Sequence, residues 1–307
     1  MPKRDYLSVD DLSNEELEAL LNEAGRLKSN PKKYASALDG KQVALIFEKP
    51  STRTRVSFEV AVSSMGGHAV VLRSDELQLG RGETIADTGR VLSRYVDALA
   101  VRTFEQERLQ QLAAGASVPV VNLLSDHSHP CQALADLLTI TEQRESLGAT
   151  SLAYVGDGNN VAHSLLLAGS KMGMDVRVAS PEGYQPDPAV VARARDIAAH
   201  TEGKVTVTDF VAEAVAGADV LYTDVWASMG QEDESRARAQ VLEPYGINAE
   251  MVAMAAPDVM VMHCLPAHRG REISAEVIDG PHSVVWDQAE NRLHTQKALL
   301  AWLLAQQ

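Results

Sequence analysis

Between Phe47 and Glu59 the chain reads Glu48-Lys49-Pro50-Ser51-Thr52-Arg53-Thr54-Arg55-Val56-Ser57-Phe58, a concentration of hydroxyl and guanidinium donors suited to an anion. Gln42 to Phe47 is short, apolar and β-branched enough for a buried strand. Val56, Val60, Ala61 and Met65 then recur at helical spacing until Gly66-Gly67, so the cluster falls at a strand-to-helix turn. Pro50 disfavours helix at Lys49, and Ser51 or Thr52 can cap the helix. That gathers unpaired backbone N–H groups and the positive end of the helix dipole in one place. Ser51 and Thr54 add hydroxyls, while Arg53 and Arg55 add planar forks that match phosphate oxygens. The plain alternative is a capped helix with surface arginines; the donor density of so short a turn favours an anion cradle.

Four more polar clusters follow apolar runs. Ser125-Asp126-His127-Ser128-His129-Pro130-Cys131-Gln132 comes after Val118 to Leu124, and Arg102 ends Ala98 to Val101. Gly156-Asp157-Gly158-Asn159-Asn160-Val161 superficially suggests a dinucleotide fingerprint. However, Val161 stands where the third glycine belongs, and the next strand, Asp175 to Ala179, ends in Ser180-Pro181 and not in the acidic residue of that fingerprint, so nicotinamide binding is not expected. Asp224-Val225-Trp226-Ala227-Ser228-Met229-Gly230 supplies a carboxylate, a hydroxyl and a flexible glycine, a loop able to close over a cation. In His263-Cys264-Leu265-Pro266-Ala267-His268-Arg269-Gly270, the two histidines and the cysteine could be taken for zinc ligands. No C-x-x-C or second paired cluster completes a tetrahedral site, and no metal is expected.

The elements that must position these clusters alternate. Ser13 with Glu16 three positions on opens a helix whose buried face is Leu17, Leu20, Leu21, Ala24 and Leu27. Strands are predicted at Gln42 to Phe47, His68 to Leu72, Ala98 to Val101, Val118 to Leu124, Ser151 to Val155, Asp175 to Ala179, Lys204 to Thr208, Asp219 to Tyr222 and Val259 to Met262. Further helices are predicted through Val91, Leu92 and Tyr95, through Leu134, Leu137, Leu138 and Thr141, and from Ala289 to Leu304. This rhythm predicts an α/β protein of two domains, each a parallel β-sheet flanked by helices, with ligands beyond the carboxyl ends of the strands. The polar stretch between Thr141 and Ser151 marks the boundary, giving domains 1–144 and 145–288 and a closing helix at 289–307.

The totals agree. A chain of 307 residues, 45% hydrophobic and 23% charged, has room for two ordinary domains. A net charge of −14 argues against nucleic acid or an anionic membrane as partner. No apolar run is long enough for a membrane span, and Met1-Pro2-Lys3-Arg4-Asp5-Tyr6 leads into an acidic helix, so a cytoplasmic protein is expected. Two cysteines, both inside polar motifs, predict a reduced compartment.

Ser51-Thr52-Arg53-Thr54-Arg55 with Ser57-Phe58-Glu59 resembles the carbamoyl-phosphate motif of the aspartate and ornithine carbamoyltransferases. D-x-W-x-S-M-G at Asp224 and H-C-L-P at His263 resemble the ornithine members specifically. The resemblance spans the chain and its motifs occur in order. It implies attack of ornithine's side-chain amine on carbamoyl phosphate, giving citrulline and phosphate, in arginine biosynthesis or a urea-cycle-type step. No cofactor is implied, because carbamoyl phosphate carries its own activation. It places Ser51, Thr52, Arg53 and Thr54 on the phosphate, with Gln78 arriving from the neighbouring subunit of a homotrimer. Arg102, His129, Gln132, Cys264, Leu265 and Arg292 complete the carbamoyl-phosphate set. Asn160, Asp224, Ser228 and Met229 meet the L-ornithine, and the closing helix packs back on the first domain.

Catalysis then has two requirements. Negative charge growing on the carbonyl oxygen and departing phosphate falls to Arg53, Arg102 and His129, while Gln132 can hold the carbamoyl NH₂. The nucleophile, with a lysine-like pKa of about 10.4, must lose a proton at a cost of roughly 4 to 5 kcal/mol at pH 7. Asp224 orients it, and Cys264 is the candidate proton acceptor. Packing roles remain the plain alternatives for His129 and Cys264. A carbamoyltransferase for putrescine or another amine, and a non-catalytic phosphometabolite-binding protein, are the rival functions.

Overall fold

Residues 3–73, 82–226 and 235–305 are described by the computed structural model. They belong to two units, Met1–Leu138 with Glu290–Gln307, and Thr139–Ala289.

In the first unit, α1 (Asn14–Ser29) begins as the sequence predicts. Ser13 Oγ accepts from Glu16 N, Glu16 caps in return, and the buried residues are Leu17, Leu20, Leu21, Ala24 and Leu27. Then come β1 (Gln42–Phe47), α2 (Thr52–Ser64), β2 (His68–Arg73), α3 (Ile85–Leu92), β3 (Ala98–Arg102), α4 (Gln106–Gly115), β4 (Val120–Leu124) and α5 (Pro130–Gln143). The four strands form a parallel sheet in the order β2-β1-β3-β4. Phe47 pairs with Arg102 and Arg102 with Leu124, so the ends of β1, β3 and β4 lie side by side. Chain order reverses between β1 and β3, the kind of switch point where ligands collect in open α/β sheets.

The second unit repeats the plan with β5 (Ser151–Val155), α6 (Asn160–Lys171), β6 (Asp175–Ala179), α7 (Pro188–Thr201), β7 (Lys204–Thr208), α8 (Val211–Val215), β8 (Val220–Thr223), α9 (Ser235–Leu242), α10 (Ala249–Met254), β9 (Met260–His263) and α11 (Ala275–Ile278); the last helix, α12 (Val285–Leu304), four residues longer at its start than predicted, begins in the second unit and has most of its length in the first. Its parallel sheet has the order β7-β6-β5-β8-β9, with the reversal between β5 and β8. The core under it joins Ala153, Val155, Leu221, Val261, Ile273 and Ile278, all fully buried. The division between units falls inside α5 and again inside α12. Among the described residues no helix is long and apolar enough to cross a membrane.

Four local expectations need correction. Of the stripe read on α2, Ala61 and Met65 are buried but Val56 and Val60 are exposed; Thr54, Phe58 and Val62 complete the buried face in their place. Tyr95 lies past the end of α3 in a turn and is 72% exposed. β4 starts at Val120 and not Val118, since Pro119 has no N–H to give a ladder. The strands predicted at Asp219 and Val259 both start and end one residue later, as β8 and β9.

Candidate active site

At the end of β1 the chain turns as its sequence requires. Ser51 is extended and caps α2, its Oγ accepting from Thr54 N at 3.3 Å. Thr52 and Arg53 are exposed on the first turn. Arg55 does not join them: its guanidinium pairs with Glu59 one turn along at 2.7 Å, so the cradle has one arginine where the sequence suggested two. Thr54 points inward and is 1% exposed. Its Oγ1 accepts from Arg292 Nη2 at 2.8 Å, while Arg292 Nη1 donates to Gln132 Oε1 at 3.0 Å. Arg292, on α12, thereby ties the cradle to α5. Gln132 is oriented in turn by Asp136 one turn on, its amide N–H donating to Asp136 Oδ1 at 2.8 Å. The amide oxygen keeps a second lone pair for a ligand.

His129 sits just ahead of α5 and is 5% exposed. Burial first, then the cations of Arg292, Arg102 and Arg53, hold its pKa well below the usual histidine range. It is therefore a neutral imidazole among three guanidiniums, able to donate an N–H without adding charge. Lys49 stacks 4.1 Å over the Phe104 ring, and burial and then Arg102 lower its pKa as well. The first unit thus gathers Ser51, Thr52, Arg53, Thr54, Arg102, His129, Gln132 and Arg292 around the neighbouring ends of β1, β3 and β4.

The second unit gathers a different set. Asp224 follows β8 and is 6% exposed. One carboxylate oxygen accepts from the Cys264 thiol at 2.8 Å, the other from Asn159 Nδ2 at 2.8 Å. Asn159 Oδ1 meanwhile caps α6 by accepting from Val161 N and Ala162 N. Asn160, the expected substrate contact, is the first residue of α6, beside Asn159. The second glycine of this turn is needed for packing: a Cβ on Gly158 would lie 2.3 Å from Pro186 N. Asp157 stands in the same turn, its carboxyl raised to about 6 by burial, against the lowering effect of Arg238 and with a smaller push from Asp224.

Cys264 and Leu265 follow β9. Leu265 has a left-handed φ of 57°, a conformation that costs a leucine about 1 to 2 kcal/mol. Its N–H donates to His263 Nδ1 at 2.8 Å, and His263 Nε2 faces the buried Glu272 carboxylate at 3.4 Å. Glu272 also accepts from His268 N, and these donors outweigh enough of its burial to keep its carboxyl below the usual range. One ligand atom each from Asp224, His263 and Cys264 lies within 4.8 Å of the others, a trio that could hold a metal ion and that differs from the His263, Cys264 and His268 set weighed above. His263, with Nδ1 engaged by Leu265 and Nε2 turned to Glu272, would have to give up one of those contacts to ligate.

Gln78, Ser228 and Met229 lie outside the described residues. Sequence reading passed over Asn159, Asp136, Arg238 and Glu272. Asn159 had a signal, since an Asn directly before an apolar helix is a favoured cap, and Gln132 and Asp136 stand at the i, i+4 spacing that brings side chains together. Arg238 and Glu272 are joined to the site only by the tertiary fold.

A carbamoyl-P binding domain model of the aspartate/ornithine carbamoyltransferases matches residues 4–142, and the Asp/Orn binding domain model matches residues 149–303. The chain belongs to the aspartate/ornithine carbamoyltransferase family. It is 60% identical to an ornithine carbamoyltransferase of Parafrankia over 99% of this chain and 97% of the relative. It is 58% identical to one of Acidothermus cellulolyticus over 98% and 96%. The solved ornithine carbamoyltransferase of Pyrococcus furiosus superposes with a TM-score of 0.94 at 54% identity, covering 97% of this chain and 96% of that one.

Proposed function

We propose that this chain is an ornithine carbamoyltransferase, making L-citrulline and phosphate from carbamoyl phosphate and L-ornithine as a step of arginine biosynthesis. Residues 1–144 with residues 289–307 hold carbamoyl phosphate, and residues 145–288 hold ornithine. The observation that carries the reading is the buried Asp224 carboxylate, which among the described residues is held by two uncharged donors and no cation and so suits an incoming alkyl ammonium. Family membership across both domain models and the named relatives support the choice of ornithine.

In the reaction the amine nitrogen bonds to the carbamoyl carbon, the carbon–oxygen bond to phosphate breaks, and the amine gives up its proton. Ser51, Thr52, Arg53 and Thr54 bind the phosphate. Arg102 and neutral His129 donate to the carbonyl oxygen as it gains charge, and Arg292 and Gln132 orient the carbamoyl group. Leu265 completes that pocket. Asn160, Ser228 and Met229 take the amino-acid end of ornithine while Asp224 takes the amine. An ammonium at Asp224 displaces the Cys264 thiol from the carboxylate; once that thiol has lost its own proton to solvent, the thiolate is the candidate acceptor of the amine's proton. The protein works in the cytoplasm as a homotrimer, each Gln78 reaching a neighbour's phosphate site. A citrulline assay with ornithine, and parallel carbamoylation assays with aspartate and putrescine, test the function. Ornithine is expected to give the highest kcat/KM; a higher value for putrescine, or no turnover with any of them, would overturn it.

A further inference from the structure

Arg238 lies on α9, outside every set of residues expected to touch a substrate, yet its guanidinium joins the two segments that hold Asp224. Its Nε donates to Trp226 O at 2.7 Å and its Nη2 to the Asp157 carboxylate, while the plane stacks 4.9 Å from the centre of the Tyr184 ring. Both members of the ion pair are largely buried, with side chains 12% and 17% exposed. Trp226 is two residues past Asp224; Asp157 is two residues before Asn159, whose amide holds Asp224 Oδ2. The contacts therefore close a ring running from Asp224 along the backbone to Trp226, across Arg238 to Asp157, on to Asn159 and back to Asp224. Tyr154 braces the same turn, its hydroxyl donating to Asp157 O at 2.8 Å.

The charges also balance. The buried Asp224 carboxylate is close enough to Asp157 to disfavour its ionisation, and Arg238 is a cation paired with Asp157. Its pairing with Asp157 leaves Asp224 with only the Cys264 thiol and the Asn159 amide on its carboxylate among the described residues. We propose that Arg238 is the positioning residue of the amine site: it fixes where Asp224 stands by stapling the Asp157 turn to the Trp226 backbone, and it cancels Asp157 so that the site presents one net charge to one ammonium. This rests on the reading that Asp224 receives the ornithine amine. A lysine could keep the charge but could not span both acceptors, because only the planar fork offers two fixed donors.

The test uses the full-length protein and its Arg238→Gln, Arg238→Lys and Asp157→Asn variants. Ornithine is varied at saturating carbamoyl phosphate, carbamoyl-phosphate binding is followed by calorimetry, and melting temperature is recorded. Arg238→Gln is expected to raise the ornithine KM about tenfold or more, with a smaller change in kcat, because charge-assisted contacts in a buried site are lost. Carbamoyl-phosphate affinity should stay within about twofold, because the hydrogen bonds of Arg238 go to Trp226 and Asp157 and to no residue assigned to that ligand. Arg238→Lys should fall between wild type and Arg238→Gln. An unchanged ornithine KM in Arg238→Gln, or equal losses for both substrates, would overturn the inference. Should that variant fail to fold, Asp157→Asn decides, since it keeps the shape and removes the pairing charge: a raised ornithine KM supports the staple and an unchanged one sinks it. Asp224→Asn run alongside separates the two levels. If it leaves the ornithine KM alone, the assignment of the amine to Asp224 has failed; if it raises the KM where Arg238→Gln does not, only the staple has.

Discussion

The two units use the same architecture for opposite electrostatics. Each has a parallel sheet with a reversal of chain order, and in each the polar residues follow adjoining strand ends. In the first unit Arg53, Arg102 and Arg292 surround a histidine that they and burial keep neutral. In the second, Asp224 is held by a thiol and an amide, and a neighbouring carboxyl is pushed up to about 6. A sheet end is therefore a neutral platform. The charge a sheet end presents is set by which few side chains the turns supply, so one fold plan can present a cationic cluster in one unit and a carboxylate in the other.

The largest effect should come from Arg292, which holds Thr54 and Gln132 at once. Arg292→Ala strands two buried polar partners and should cost about 2 to 4 kcal/mol of stability. Carbamoyl-phosphate affinity should fall about tenfold or more with it. Denaturant unfolding and calorimetry check both; a variant as stable as wild type would show that the cationic cluster does not depend on α12.

An intermediate effect concerns pH, and here the two units should pull in opposite directions. His129 resists protonation in the folded state, so below its ordinary value of about 6.5 the unfolded chain binds more protons and stability falls as pH falls. Asp157 is the reverse: its folded value of about 6 lies above the ordinary carboxylate range, so its contribution is present at low pH and is lost as pH rises through 6. Urea unfolding at pH 7.5, 6.5 and 5.5 should show His129→Gln losing less stability on acidification than wild type, by up to about 1 kcal/mol per pH unit. Asp157→Asn should lose more than wild type over the same range. Identical slopes in all three proteins would erase the contrast.

The smallest effect should be that of Ser51→Ala, which removes the α2 cap for about 1 kcal/mol of stability. A larger loss of carbamoyl-phosphate affinity than of stability would separate the hydroxyl's ligand role from its capping role.

Much of this was legible in the chain because local rules and tertiary structure agree. The Ser13 and Glu16 capping box, the strand at Gln42 and the cradle at Ser51 depend on neighbours within a few residues. The α2 stripe was half misread because Val56 and Val60 share the helical spacing of the buried Ala61 and Met65, and only the tertiary packing decides that Phe58 and Val62 are buried in their place. Arg55 was misplaced because an exposed arginine takes the nearest carboxylate, Glu59. Arg238 and Asp157 stand 81 residues apart, and Glu272 meets His263 across an irregular loop, so neither pair follows from helix or strand spacing.

The most direct test of the division between a cationic and an anionic site is the binding of carbamoyl phosphate to Asp224→Asn, measured by calorimetry beside its steady-state kinetics with ornithine. Carbamoyl phosphate should bind with nearly wild-type affinity while kcat/KM for ornithine falls roughly tenfold to 150-fold, the worth of one buried charge-assisted contact. A variant that loses carbamoyl phosphate yet keeps its ornithine kinetics would contradict the assignment of opposite charges to the two units.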